Sequence, residues 1–257
     1  MFVRRLRLEA GRQNWFGVGV DLVILILGVF LGIQVNNWNQ ARLDRAEGKE
    51  YLARLYSDLE SNERVLAFRI HYDGQTLTHA REALVALDRP VLDDPAQFII
   101  DAFEASNHVP RPLRQFTYDE VVGAGKSELL GDPVLRERIA NYYSGVDTMQ
   151  RLFDFTPPYR ELIRSALPPA AQFQVMQDCP EVFHTDEFGN VTPELLDNCK
   201  SKMSLPMARK IAADVRSIPG LRWALNRVIM DLDQKIKSAS RSSGDARQMK
   251  NEIRKAA

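Results

Sequence analysis

Residues 15–38 read WFGVGVDLVILILGVFLGIQVNNW, and this stretch decides how the chain is organised. Its centre, from Leu22 to Ile33, holds ten large apolar residues and two glycines. On an insertion scale those ten residues contribute roughly −3 to −6 kcal/mol, against about +2.5 to +3.5 kcal/mol for an aspartate at mid-membrane. Asp21 lies near one end of the apolar run, where its cost is smaller. The stretch therefore predicts a transmembrane helix over residues 16–38. The lipid bilayer around this helix is then a partner of the chain.

Trp15 and Trp38 bracket this segment as interfacial anchors. Trp38 follows Trp15 by 23 positions, which is about 35 Å at about 1.5 Å per helical residue and matches rings at the two edges of a roughly 30 Å hydrocarbon layer. The run ends in Gln34-Val35-Asn36-Asn37, without the pair of small residues that a signal peptidase recognises. We therefore predict an uncleaved anchor.

The charges that flank the segment predict its orientation. The first fifteen residues hold four arginines and one glutamate, whereas the stretch after Trp38 alternates basic and acidic residues. Under the positive-inside rule, residues 1–15 form a basic cytoplasmic tail and the remaining chain crosses the membrane. In a bacterium this predicts an inner (plasma) membrane protein whose main domain is periplasmic.

The end of the apolar helix resembles a family of bacterial single-pass membrane proteins. The shared feature is the motif Q-x-N-N-W-N, present here as QVNNWN at residues 34–39. The family typically has an acidic residue near the start of the membrane helix, and Asp21 stands there in place of the more usual glutamate. The likeness extends over about half of the chain, at Tyr51, Leu52, Leu55, Leu59, Thr117, Tyr118, Asp119, Glu120, Gly125, Leu129, Leu130, Leu135, Arg136, Ile139, Tyr142 and Tyr143. The family is a domain of unknown function, so the resemblance implies a membrane location and no activity.

One face of the membrane helix carries small residues and an acid. At about 100° per residue, Gly17, Asp21, Gly28 and Gly32 fall within roughly 60° of one another. Small residues let helices approach closely, and an acid in lipid is costly unless it faces protein. This face predicts a helix–helix interface, either in a homo-oligomer or with a second membrane protein. The alternative is a chance GxxxG pair, with Asp21 reaching the headgroups beside Arg12.

Residues 39–240 predict an all-α extracytoplasmic domain, a bundle of six or more helices that continues from the membrane helix. Apolar residues recur at three- and four-residue spacing from Leu52 to Ile70. Gly74 is the predicted break in this first long helix. Asp132 and Pro133 have the types expected of an N-cap and a first helical residue. Further helices are predicted over residues 95–106, 118–130, 133–155, 158–167 and 206–216, and from 221 onward.

Two segments are predicted to lack regular structure. Residues 168–204 contain four prolines and both cysteines, so they predict a long loop. Cys179 and Cys199 either form a disulfide, which would stabilise the fold by about 3 kcal/mol in an oxidising compartment, or are two unrelated buried thiols. Residues 241–257 predict a basic, flexible tail.

Composition and motifs disfavour several functions. Lys plus Arg and Asp plus Glu balance at 34 each, which disfavours a nucleic-acid partner. The stretch GAGKS at 123–127 lacks the first glycine of a phosphate-binding loop, since Glu120 stands there, so no nucleotide is predicted. The cysteines and four histidines lack metal-ligand spacing. We predict no metal, no cofactor and no catalytic residues.

Three hypotheses remain open. The first is an anchored, self-associating interaction or scaffold protein of the cell envelope. The second is a periplasmic ligand-sensing subunit, which would act through a membrane partner because the cytoplasmic tail is too short for an output module. The third, an enzyme, would assemble its site from scattered residues such as His108, Tyr118, Tyr142 and Tyr143, although tyrosines on apolar faces usually belong to a core.

Overall fold

The computed structural model describes residues 15–187 and 189–256. The structure is 77% helical with 3% strand, which confirms the all-α class. Within the described residues the chain divides into two compact units, with the boundary between Tyr51 and Leu52.

The described part of the chain forms α-helices joined by short turns, one 3-10 turn and one β-hairpin. The helices are α1 (Trp15–Asp88), α2 (Pro95–Glu104), α3 (Phe116–Gly123), α4 (Pro133–Asp154), α5 (Pro158–Ala166), α6 (Pro169–Asp178), α7 (Leu205–Arg216) and α8 (Leu221–Ala256). The 3-10 turn is Ser127–Leu130, and the antiparallel hairpin pairs β1 (Val182–Thr185) with β2 (Val191–Glu194).

The first unit contributes the apolar segment of α1. An 18-residue window of this helix has a mean hydropathy of 2.5, and none of that window is buried. Each of the ten large apolar residues between Leu22 and Ile33 exposes more than half of its surface. At about 1.5–3 kcal/mol for a fully buried side chain, removing these exposed surfaces from water is worth on the order of 10 kcal/mol. The helix is thus long and apolar enough to cross a membrane.

The second unit is a helical bundle with a continuous apolar core. In it, α2 packs against α5, α6 and α7, while α8 packs against α4 and α5. The core draws fully buried side chains from α1, α2, α5, α6, α7 and α8, among them Ala80, Ala83, Ile99, Ile163, Val175, Ala208 and Leu225.

Helix starts follow local sequence signals. The Asp94 carboxylate accepts a hydrogen bond of 2.9 Å from the Gln97 amide, and Asp132 accepts one of 2.8 Å from the Leu135 amide. In both helices a proline follows the cap, where its missing N–H costs nothing. The capping role predicted for Asp132 is confirmed.

The first long helix differs from the prediction at Gly74. It continues through this glycine to Asp88, although glycine costs about 1 kcal/mol relative to alanine inside a helix. Tyr72 and Leu77 are buried on either side of it. The tertiary contacts of Tyr72 and Leu77 therefore outweigh the low helix propensity of Gly74.

The two segments predicted to be irregular also differ. Residues 168–204 contain α6, in which Ala171 and Val175 form a buried apolar face, and the hairpin that follows it. Residues 241–256 are helical, and the flexible tail predicted there is wrong for these positions, since Ala246, Met249 and Ile253 are buried.

Candidate functional site

The membrane-helix face predicted from the sequence is partly described. Asp21, Gly28 and Gly32 are exposed on α1, and a Cβ atom added at either glycine would meet no atom within 4 Å. Trp38 is exposed, whereas the side chains of Trp15 and Gly17 lie outside the described residues. This surface is therefore sterically open to a second helix.

Cys179 and Cys199 form a disulfide, with 5.5 Å between their Cα atoms. The bond ties the end of α6 to the segment that precedes α7. Both cysteines are buried at the edge of the apolar core. Because Cys179 lines a cavity of the helical domain, the disulfide fixes one side of that cavity.

Of the tyrosines considered for an enzyme site, Tyr142 and Tyr143 are buried in the core and Tyr118 is half-buried beside them. The rings of Tyr118 and Tyr143 stack with centroids 4.5 Å apart, and Tyr142 meets Tyr143 edge-on at 5.1 Å. Burial raises the pKa of Tyr142 to about 12 and raises that of Tyr143 as well. Groups with such pKa values are poor proton donors near neutral pH. His108 lines a different cavity.

The GAGKS stretch ends a helix. Gly125, with φ of +68°, follows the cap of α3. The Lys126 amide donates to the Val121 carbonyl, and the Gly125 amide donates to the Val122 carbonyl, each at 3.0 Å. These two hydrogen bonds form a Schellman turn at the end of the helix. The turn requires a positive φ, which accounts for Gly125 without a phosphate-binding role.

The principal candidate site is a cavity of about 430 Å³ in the helical domain. Its walls come from α1, α2, α5, α6 and the segments that follow α2 and α6. Lining residues are Tyr72, Phe103, Glu104, Asn107, His108, Val109, Arg160, Arg164, Met176, Cys179, Pro180, Glu181 and Phe183. The volume lies within the range of small-molecule sites.

Two arginines from successive turns of α5 form the positive wall. Arg164 donates from Nε to Ser106 Oγ at 2.6 Å and from Nη2 to Asn107 Oδ1 at 2.7 Å. Its guanidinium carbon lies 3.5 Å from the centroid of the Phe103 ring. Arg160 donates to the Ser106 carbonyl at 2.6 Å. Burial lowers the pKa of Arg164 to about 10, so the group stays charged at neutral pH.

Two glutamates, Glu104 and Glu181, also line the cavity. Tyr72 donates to Glu181 Oε1 at 2.5 Å, and Asn107 donates to Glu104 Oε2. Glu104 is only 5% exposed. Burial raises its pKa to about 7, against the lowering influence of His79, the Asn107 hydrogen bond and Arg164.

The opposite charges are close without being paired. Glu104, Glu181 and Arg160 each influence the pKa of Arg164, yet across residues 15–187 and 189–256 no ion pair joins either glutamate to either arginine. Burial, followed by the charges of Lys235, Arg69 and Arg160, lowers the pKa of His108 to about 4. The cavity at neutral pH thus presents separated positive and negative groups beside a neutral imidazole.

A buried charged cluster lies beside the cavity, where Asn107, His108 and Arg160 also face Asp73 and Lys235. Lys235 Nζ donates to the Phe155 carbonyl at 2.8 Å and is 2% exposed. Desolvation lowers the pKa of Lys235, while Asp73 raises it. The cluster joins α1 to α8 and fixes one wall of the site.

Arg69 completes this cluster. It is 2% exposed, and its guanidinium carbon lies 4.0 Å from the centroid of the Phe153 ring. Arg69 Nη2 donates to the Arg111 carbonyl at 3.1 Å. These contacts give the arginine a structural place in the core.

The sequence did not predict the cavity. Only His108 among its lining residues was singled out for chemistry, and Cys179 was singled out for a disulfide. The one local signal is the four-residue spacing of Arg160 and Arg164, which places both on one face of α5. In the described ranges, no group of His, Cys, Asp and Glu side chains is arranged to hold a metal ion.

Comparisons with protein families, with curated proteins and with solved structures find no match to this chain.

Proposed function

We propose that the chain is a membrane-anchored interaction or scaffold protein of the bacterial envelope. Residues 16–38 span the inner membrane, residues 1–15 are cytoplasmic and the helical domain is periplasmic. The observation that carries the proposal is the uncovered apolar surface of α1 between Leu22 and Ile33. Lipid would remove that surface from water, as burial in a core does for the other helices.

Further observations support the location. The four arginines before residue 15 favour a cytoplasmic N-terminus, and a disulfide is typical of proteins in the periplasm. The QVNNWN motif resembles a bacterial single-pass family. Self-association, or pairing with a second membrane protein, would use the face of Asp21, Gly28 and Gly32.

The test is protease treatment of spheroplasts that produce the full chain, with gel mobility recorded with and without reductant. We expect protease to degrade the domain from outside, an intact-length band in untreated cells and a reductant-dependent shift. The Cys199→Ser variant should lack the shift. Protection from protease together with reduced thiols would show a cytoplasmic domain, and a shortened mature band would show a cleaved signal peptide. Either result would overturn the proposal.

A second candidate function is ligand sensing, and the charged cavity favours it. A scaffold surface does not require a buried glutamate and three half-buried charged groups around a space of about 430 Å³, because removing charged groups from water is costly unless they have partners. A ligand that carries both charges would supply those partners. The domain would then pass its ligand-bound state to a membrane partner.

A further inference from the structure

The separated charges of the cavity define the chemistry of its ligand. Arginine has five N–H donors. Arg164 uses two of them, and Arg160 uses one, in the hydrogen bonds to Ser106 and Asn107. The remaining donors can hold a carboxylate, which arginine binds with matched planar geometry.

The two glutamates that line the cavity have free acceptor oxygens. Glu104 accepts from Asn107 at Oε2, and Glu181 accepts from Tyr72 at Oε1. Their other oxygens, Oε1 of Glu104 and Oε2 of Glu181, accept no hydrogen bond from any residue that the structure describes. An ammonium group, with three donors, matches two such carboxylates.

The size and the apolar lining of the cavity narrow the class of ligand further. A cavity of about 430 Å³ lies within the range of small-molecule sites and has room for a dipeptide with one small and one branched side chain. A free amino acid would leave much of the space empty. Phe103, Met176 and Phe183 provide an apolar surface for the side chains.

We propose that the cavity binds a short peptide as a zwitterion, with the carboxylate on Arg160 and Arg164 and the ammonium group on Glu104 and Glu181. This inference rests on the second proposed function, ligand sensing, and is independent of where the domain resides.

The release or uptake of protons on binding is a second measurable consequence of the proposal, besides affinity. Burial raises the pKa of Glu104 to about 7, and the other groups that act on it are His79, Asn107, Arg164 and Glu181. A ligand ammonium lowers that pKa, so binding at pH 7 releases protons. A ligand that brought only an anion would raise the pKa and take protons up.

The experiment is calorimetric titration of the full chain in detergent micelles with L-alanyl-L-leucine, in two buffers of different ionisation enthalpy. We expect binding with proton release. N-acetyl-alanyl-leucine and alanyl-leucine amide, which each lack one charge, should bind about tenfold more weakly or worse. L-leucine should also bind more weakly.

Variants locate the site. Arg160→Gln and Glu181→Gln should each weaken the dipeptide about tenfold, and Glu104→Gln should abolish the proton release. Glu161→Gln, on the exposed side of the same helix, is the matched control and should bind as the parent does. Melting curves show whether each variant is folded, and the ligand analogues on the unmodified chain test the same charges without any substitution.

Three outcomes would overturn the inference. They are the absence of dipeptide binding, equal binding of either singly charged analogue, and proton uptake on binding. None of them affects the protease and disulfide results, so failure of the ligand assignment is distinguishable from failure of the membrane placement.

Discussion

Glu104 shows how one buried group sets a pH dependence. Its pKa is raised by burial from 4.5 to about 7, so between these values the folded state holds a proton that the unfolded chain has lost. Stability that is fully present below pH 4.5 is therefore lost as the pH rises through 7. At 1.36 kcal/mol per pKa unit, the loss is about 3 kcal/mol.

Glu104→Gln removes this titration. We expect the parent to lose about 3 kcal/mol of unfolding free energy, relative to this variant, between pH 4.5 and pH 8. Urea denaturation at a series of pH values measures the difference. Glu161→Gln should keep the parent's pH profile, and parallel profiles for the parent and Glu104→Gln would contradict the role given to burial.

At the scale of the element, α8 closes the bundle with its last turns. Ile253 is 2% exposed. Lys250 Nζ lies 2.7 Å from Glu63 Oε2, and Arg254 Nη2 donates to the Tyr56 hydroxyl at 2.7 Å. The polar contacts join α8 to α1, and the burial of Ile253 shows that the same turns are packed in the bundle.

Ile253→Ala should destabilise the domain by about 2–5 kcal/mol, because it leaves a cavity in a packed interface. Chemical denaturation of the full chain measures this loss. Asn251→Ala, an exposed neighbour in the same turn, should change stability by no more than about 0.5 kcal/mol. Equal stability of the two variants would mean that these turns do not pack as described.

At the scale of the whole molecule, self-association is the property that the small-residue face of the proposed membrane helix predicts. Gly28→Leu and Gly32→Leu should each weaken a dimer in micelles, since leucine separates two helix backbones that glycine lets meet. Gly19→Leu is the matched control, because residue 19 lies on the opposite side of the helix. Sedimentation or crosslinking of the full chain reports the oligomer. Equal effects at all three positions would point to a general change in the helix and refute a specific face.

Much of the fold could be predicted from sequence because its signals are local. Pro133 and Pro158 mark helix starts, and regular apolar spacing marks the buried faces. The end of α8 was missed because Ala239, Ser242 and Ala246 have little apolar surface, yet small side chains allow close helix packing. The cavity was missed because Tyr72, Glu104 and Arg160 belong to different helices that only the folded core brings together.

The packing of α8 against α1 also determines when the domain can fold during its synthesis. Glu63 and Arg247 are separated by 184 positions, and Tyr56 and Arg254 by 198. During synthesis, the apolar face of α1 emerges long before the helix that covers it. Until α8 has been synthesised, chaperones and proteases can both bind the exposed apolar face of α1. The domain can therefore complete its fold only after residue 254 has been synthesised.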